Sequence, residues 1–149
     1  MQMTLTQNFW VIGHKIEPIE TSGAYDAFIG ETPSGIPGPP PHYHAKYAEL
    51  FMVLKGKMEF MVDGKKVLLH EGESIDLPAG TVHTFSNPTD EPVRWLNIHS
   101  PKGFSSFFER FGVPNDDENA FENSVAPAMI GQVVNEAASF DMNIVQAEI

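Results

Sequence analysis

An all-β sandwich or barrel followed by two C-terminal helices is what this sequence predicts, and three observations carry the prediction. Short apolar runs recur between residues 9 and 99 at nearly regular spacing, each bounded by Gly, Pro, Asn or Asp. Beyond residue 101 the apolar period changes from two to that of a helix. At 149 residues with no cysteine, the chain has the size of one domain and must be held by a core rather than by disulfides.

Residues 9–12 and 24–29 read as short strands, with Thr21-Ser22-Gly23 as the break between them. The proline-rich run 33–41 then fixes φ at Pro33, Pro37, Pro39, Pro40 and Pro41, which forces an extended, rigid approach to His42. From Glu49 the strands follow closely. Residues 49–54 turn at Lys55-Gly56 into 58–62, and Asp63-Gly64 is a strong hairpin signal leading into 67–69. Glu71-Gly72 turns into 74–77, Pro78-Ala79-Gly80 into 81–86, and the segment 87–92 reverses the chain into 93–99.

Phe104, Phe107, Phe108 and Phe111 recur at i, i+3, i+4 and i+7, and Gly112 with Pro114 ends that helix. The aromatic stripe is expected to pack against the outer surface of the barrel, a wall for a ligand being the alternative. After the acidic loop 115–119, a second helix is expected over 127–139, with Ile130, Val133, Val134, Ala137 and Ala138 on one face. The whole chain reads as one domain over 1–149. Its N-terminal strands occupy 1–36, the barrel motifs 37–100 and the helical segment 101–149.

The chemistry-bearing residues lie in two segments. His42 and His44 stand two apart, so on an extended strand their side chains leave the same face. Glu49 opens the apolar run 50–54, where an ionised carboxylate costs several kcal/mol unless something neutralises it. His83 reaches the cluster from a separate strand. Three imidazoles and one carboxylate are thereby placed where a single divalent metal could collect them, and without cysteine the donors are nitrogen and oxygen only. The competing reading is a group of core histidines hydrogen-bonded to a carboxylate. By alternation Glu49 shares its face with Phe51 and Val53, and His83 with Phe85; Phe60 and Met58 are neighbours in sequence order. The candidate pocket residues are therefore Phe51, Val53, Phe60 and Phe85, a mostly apolar set. His14, His70 and His99 are expected on the surface or in turns, His99 being the one candidate donor behind the ligands.

These residues resemble both signature motifs of the cupin family. His42, His44, Glu49 and Gly56 match the first motif, and Gly72, Pro78, Gly80, His83 and Asn87 match the second without insertion. One position departs: the opening glycine of the first motif would fall at Ile36, flanked by Gly35 and Gly38. Over essentially the full chain the sequence is similar to the small single-domain cupins described as quercetin 2,3-dioxygenase-like. The resemblance implies a small jelly-roll barrel and a centre in which His42, His44, Glu49 and His83 bind one divalent metal ion (Fe, Mn, Ni, Cu or Zn). It also implies a dioxygenase acting on a small enolisable, flavonol-like or aromatic substrate. Glu49 would be the catalytic group, a ligand able to accept the substrate's hydroxyl proton, helped by a carboxylate pKa raised in an apolar pocket. The alternatives are a metal-dependent isomerase or other Lewis-acid enzyme on a small keto compound, and a non-catalytic small-molecule or metal-binding protein.

Composition sets further bounds. The formal charge is −11, from 20 acidic against 9 basic residues, and no basic cluster is present, which argues against nucleic acid and polyanionic substrates and for neutral or weakly acidic small molecules. Residues 1–7 lack the basic stretch and apolar core of a signal peptide, and no apolar run reaches membrane-spanning length, so a cytoplasmic protein without membrane contact is expected. A homodimer is expected too, since N-terminal edge strands need cover.

Overall fold

The computed structural model describes residues 7–145; the stretch 1–6 used in the leader-sequence reading lies outside the described residues, as does 146–149. In chain order the elements are β1 (Phe9–Val11), β2 (His14–Ile19), β3 (Asp26–Thr32), β4 (His42–Tyr43), β5 (Ala48–Lys55), β6 (Lys57–Val62), β7 (Lys65–His70), β8 (Ser74–Leu77), β9 (His83–Ser86) and β10 (Val93–Ser100). Then follow α1 (Ser105–Phe111), β11 (Val113–Pro114), α2 (Ala120–Ser124), α3 (Pro127–Glu136), a 3₁₀ turn (Ala137–Phe140) and β12 (Asn143–Ile144).

The strands form two antiparallel sheets facing each other as a jelly roll, one in the order β11-β1-β2-β3-β10-β5-β8 and one in the order β12-β4-β9-β6-β7. Period-two burial explains the facing. On β5 Glu49, Phe51 and Val53 are buried, and on β10 Val93, Trp95, Asn97 and His99 alternate with partly exposed neighbours. Register then matches these inward residues across the sheet: Val53 opposite Trp95, Phe51 opposite Asn97, Glu49 opposite His99. Met58 and Phe60 both point inward, fully buried, as residues two apart on β6 must. Asp63 and Gly64 take φ of 48° and 82° in the predicted hairpin between β6 and β7. The Lys55-Gly56 turn is different: β5 and β6 lie in different sheets, so it carries the chain across the barrel.

Several expectations are corrected. The strand expected at 24–29 runs from Asp26 to Thr32, and β2 was not anticipated. Pro18 and the charges Lys15 and Glu17 mask β2 in the sequence, whereas its pairing with both β1 and β3 makes it a strand. Within the described residues β11 pairs with β1 and stands at the edge of that sheet.

The helical region is more broken than two helices, since α2 and the 3₁₀ turn are added to it. On α3 the inward face is Val133, continued by Ala137, while Ile130 and Val134 are exposed at 43% and 48%. The apolar i, i+3 pattern is thus interrupted by apolar residues on the outer side. Among the described residues no helix is long and apolar enough to cross a membrane.

Candidate metal centre

Two cross-strand pairs, one from each sheet, meet in the barrel interior. His42 on β4 lies directly opposite His83 on β9, with ring centroids 4.4 Å apart. Glu49 on β5 lies opposite His99 on β10. His44 follows β4 and completes the group: one ligand atom each from His42, His44, Glu49 and His83 lies within 4.8 Å of the others, and all four residues are buried.

Local packing explains why the chain arrives there. At Gly38 a Cβ would stand 1.7 Å from the carbonyl oxygen of Phe85, so only glycine lets the proline run approach β9 this closely before delivering His42. On the other side of β4, β12 pairs with it and the Val145 N–H donates to the Pro41 carbonyl at 2.9 Å.

The second nitrogen of each motif histidine is tied to the backbone. The Nδ1–H of His42 donates to the Pro40 carbonyl at 2.9 Å, that of His44 to the Asp141 carbonyl at 2.7 Å, and that of His83 to the Thr81 carbonyl at 2.9 Å. A carbonyl oxygen only accepts, so the proton is on Nδ1 in all three rings and Nε2 carries the lone pair of the neutral imidazole. Asp141 was missed by sequence reasoning. Its carboxylate accepts from the backbone N–H groups of Ala45 and Lys46 at 2.9 and 2.8 Å, which locks the turn after His44.

The lone pairs converge on an oxygen that has none of its own partners. Glu49 Oε2 lies 3.1 Å from His44 Nε2 and 2.8 Å from His83 Nε2, yet no hydrogen bond of acceptable angle reaches it. Neutral imidazoles and a carboxylate at these distances repel unless positive charge stands among them, supplied by protons or by a cation. With no cation, the His44 pKa is raised above the usual histidine value: burial, the largest single influence, lowers it, but the closeness and attraction of Glu49 outweigh burial. His42 does the opposite, held down to about 3 by burial and then by repulsion from His83. The donor set, three nitrogens and one oxygen, fits a divalent ion of the borderline class and leaves positions open in octahedral geometry.

The carboxylate pKa expected to be raised is instead held well below the usual range. Burial pushes it up, but electrostatic attraction to the nearby imidazoles, His99 first and then His44 and His83, outweighs burial. The apolar pocket of the sequence reading is, at this residue, an imidazole cage.

His99 and His14 are corrected as well. Both are buried, at 2% and 3% exposure, whereas His70 is exposed as expected. His99 Nε2 is 2.8 Å from Glu49 Oε1, at a hydrogen-bonding distance but not a hydrogen-bonding angle, and its ring stacks on Phe104 at 4.5 Å. Asn97 Nδ2 donates to the same Oε1 at 3.3 Å. The alternating pattern of β10, once its inward face is known, is the signal that could have found both.

A cavity of about 70 Å³ opens beside the cluster. Phe51 and Phe85 line it; Val53 and Phe60, fully buried, lie outside its lining, with the Phe60 ring packed 5.0 Å from Phe51. Another part of the wall comes from α1 and the residue that precedes it. Phe104, Phe107 and Phe108 face the cavity, so the aromatic stripe closes the site instead of covering the barrel's outer surface. Phe108 also borders an outer groove with Phe9 and Pro18, making that ring a partition between groove and cavity.

Residues 29–99 match the cupin domain family, a span that contains all four members of the cluster and His99. An uncharacterized protein of Aquifex aeolicus is 44% identical over 61 residues, 41% of this chain and 50% of that one. Quercetin 2,3-dioxygenase of Bacillus subtilis is 32% identical over 73 residues, 49% of this chain and 21% of that one. The chain therefore spans half or less of the length of these relatives. Among solved structures, KdgF from Halomonas sp. superposes with a TM-score of 0.60 over 66% of this chain and 91% of that one, at 19% identity, a likeness of fold alone.

Proposed function

We propose that this small protein of the cupin superfamily is a metal-dependent dioxygenase for a small enolisable compound, with one divalent ion held by His42, His44, Glu49 and His83. The observation that carries the reading is the convergence of lone pairs on Glu49 Oε2 from rings whose tautomers are fixed by backbone carbonyls. Similarity to a quercetin dioxygenase supports oxygen chemistry. The cavity supports a smaller substrate than a three-ring flavonol: about 70 Å³ is well under the roughly 300–1,000 Å³ of pockets for drug-sized ligands.

A redox-active divalent ion bound there would supply the electron transfer that lets dioxygen combine with an electron-rich enolate. The residues do the rest. Phe104, Phe107 and Phe108 keep bulk water from the site, which strengthens the electrostatic interactions within it. Glu49 Oε1, 2.8 Å from His99 Nε2, accepts the proton that the substrate loses on binding as its enolate, and Asn97 holds Oε1 in place. Few polar side chains other than the imidazoles, Glu49 and Asn97 line the cavity, which favours this reading over an isomerase for sugars.

The test is oxygen uptake by protein loaded in turn with iron, manganese, nickel, copper and zinc, with 2,4-pentanedione and a flavonol offered separately. Uptake is expected with the diketone and at least one redox-active metal, and none with zinc. If no enolisable compound supports uptake with any metal, the dioxygenase reading gives way to Lewis-acid catalysis or simple binding.

A further inference from the structure

His14 is buried on β2, outside the metal cluster and unused by the roles assigned above, yet it lines the same cavity. Its Nδ1 lies 2.9 Å from Thr32 Oγ1, and the same hydroxyl receives the indole N–H of Trp95 at 2.9 Å. An indole nitrogen only donates, so Thr32 Oγ1 accepts from Trp95 and its own proton is free to go to His14 Nδ1. In that arrangement Nδ1 is the acceptor and the ring proton is on Nε2, the reverse of the tautomer in the three motif histidines. Gly30 makes the relay possible: a Cβ there would stand 2.1 Å from the Trp95 ring.

His14 Nε2 is buried without a hydrogen-bond partner. The Pro37 carbonyl is near enough to favour a proton on the ring but forms no hydrogen bond of acceptable geometry with it. Burial lowers the pKa to about 4, so at neutral pH the ring is an uncharged donor. Its T-shaped contact with Phe85, 5.3 Å between centroids, fixes its plane. A buried N–H left unmet in a cavity wall is the signature of a group kept for a ligand.

We propose that His14 is the substrate-anchoring donor of this cavity: its Nε2–H takes a carbonyl or enolate oxygen of the bound compound. The inference rests on the cavity being the substrate site, as in the reading above, but not on the reaction that follows. A neutral donor at this wall selects a compound with an oxygen acceptor and disfavours hydrocarbons of equal size.

The test uses full-length protein loaded with diamagnetic zinc, ¹⁵N-labelled, with 2,4-pentanedione as probe. Long-range ¹H–¹⁵N correlations should find the His14 proton on Nε2, and the probe should shift that resonance. His14→Phe should weaken probe binding about tenfold, while His14→Gln, which keeps an N–H donor, should stay within about threefold of wild type. Bound zinc and melting temperature are measured in each variant, so that a folding defect is seen as such. A proton on Nδ1, an Nε2 resonance indifferent to saturating probe, or equal affinity in His14→Phe each overturns the proposal. A shifted Nε2 in a protein that consumes no oxygen with any redox metal sinks the dioxygenase reading and leaves this one standing.

Discussion

Two groups of histidines, equally buried, share the interior of this barrel and differ in what holds the second ring nitrogen. His42, His44 and His83 give Nδ1–H to backbone carbonyls, which commits the Nε2 lone pair to a common centre. His14 leans on a threonine hydroxyl, and His99 has neither nitrogen in a well-aligned hydrogen bond, its ring being held by stacking on Phe104. Burial therefore does not identify a ligand; the partner of the far nitrogen does. Backbone carbonyls are strong, immobile acceptors, and they fix tautomer and orientation together.

That distinction breaks most visibly in metal content. His83→Ala should lose nearly all bound metal, a larger loss than the roughly 10–100-fold in affinity caused by altering groups behind the ligands. His99→Ala should keep close to one equivalent. Dialysis against trace metal followed by elemental analysis checks both, and equal loss in the two variants would remove the difference between the groups.

Glu49 joins the groups, since Oε2 faces the tied rings and Oε1 faces His99. Glu49→Gln keeps the shape and one oxygen donor but removes the charge and the proton-accepting role. At saturating metal, turnover of a substrate found by oxygen uptake should fall about 10²–10⁴-fold, with a much smaller change in bound metal. Wild-type turnover by a fully loaded variant would refute the proton role.

The smallest expected effect lies at His14 and reads its neutrality. Folding lowers its pKa from 6.5 to about 4, so below pH 6.5 the unfolded chain binds a proton that the folded one refuses. Stability contributed by the neutral ring is intact above pH 6.5 and is lost as pH falls toward 4. In metal-free protein, denaturant unfolding at pH 7.5 and pH 5 should differ by about 2 kcal/mol less in His14→Phe than in wild type. An unchanged difference would mean that His14 is charged or solvated in the fold.

The cluster was legible because its spacing is local: His42 and His44 share one short segment, Glu49 opens the next strand, and His83 follows a Pro-Gly turn. The strand succession from Glu49 to His99 was legible for the same reason, since alternation and turn residues act within a few positions. His99 and His14 were misjudged because each sits in a strand whose inward face is known only once its neighbours are paired. The α3 face was misjudged because Ile130 and Val134 fit the helical period yet remain outside.

By itself, then, the sequence determined an all-β chain with a helical tail and the four residues that gather as candidate donors, because periodicity, turn chemistry and short spacings are properties of neighbouring residues. Only the tertiary structure decided the site's environment. Asp141 holds His44 across 97 positions, and Trp95 reaches Thr32 across 63. The aromatic helix α1 closes the cavity that β5, β9 and β10 line. Contacts of that separation are set by how sheets and helix pack together, and packing assigned a lowered pKa to Glu49 and a neutral donor to His14, where local sequence pointed to neither.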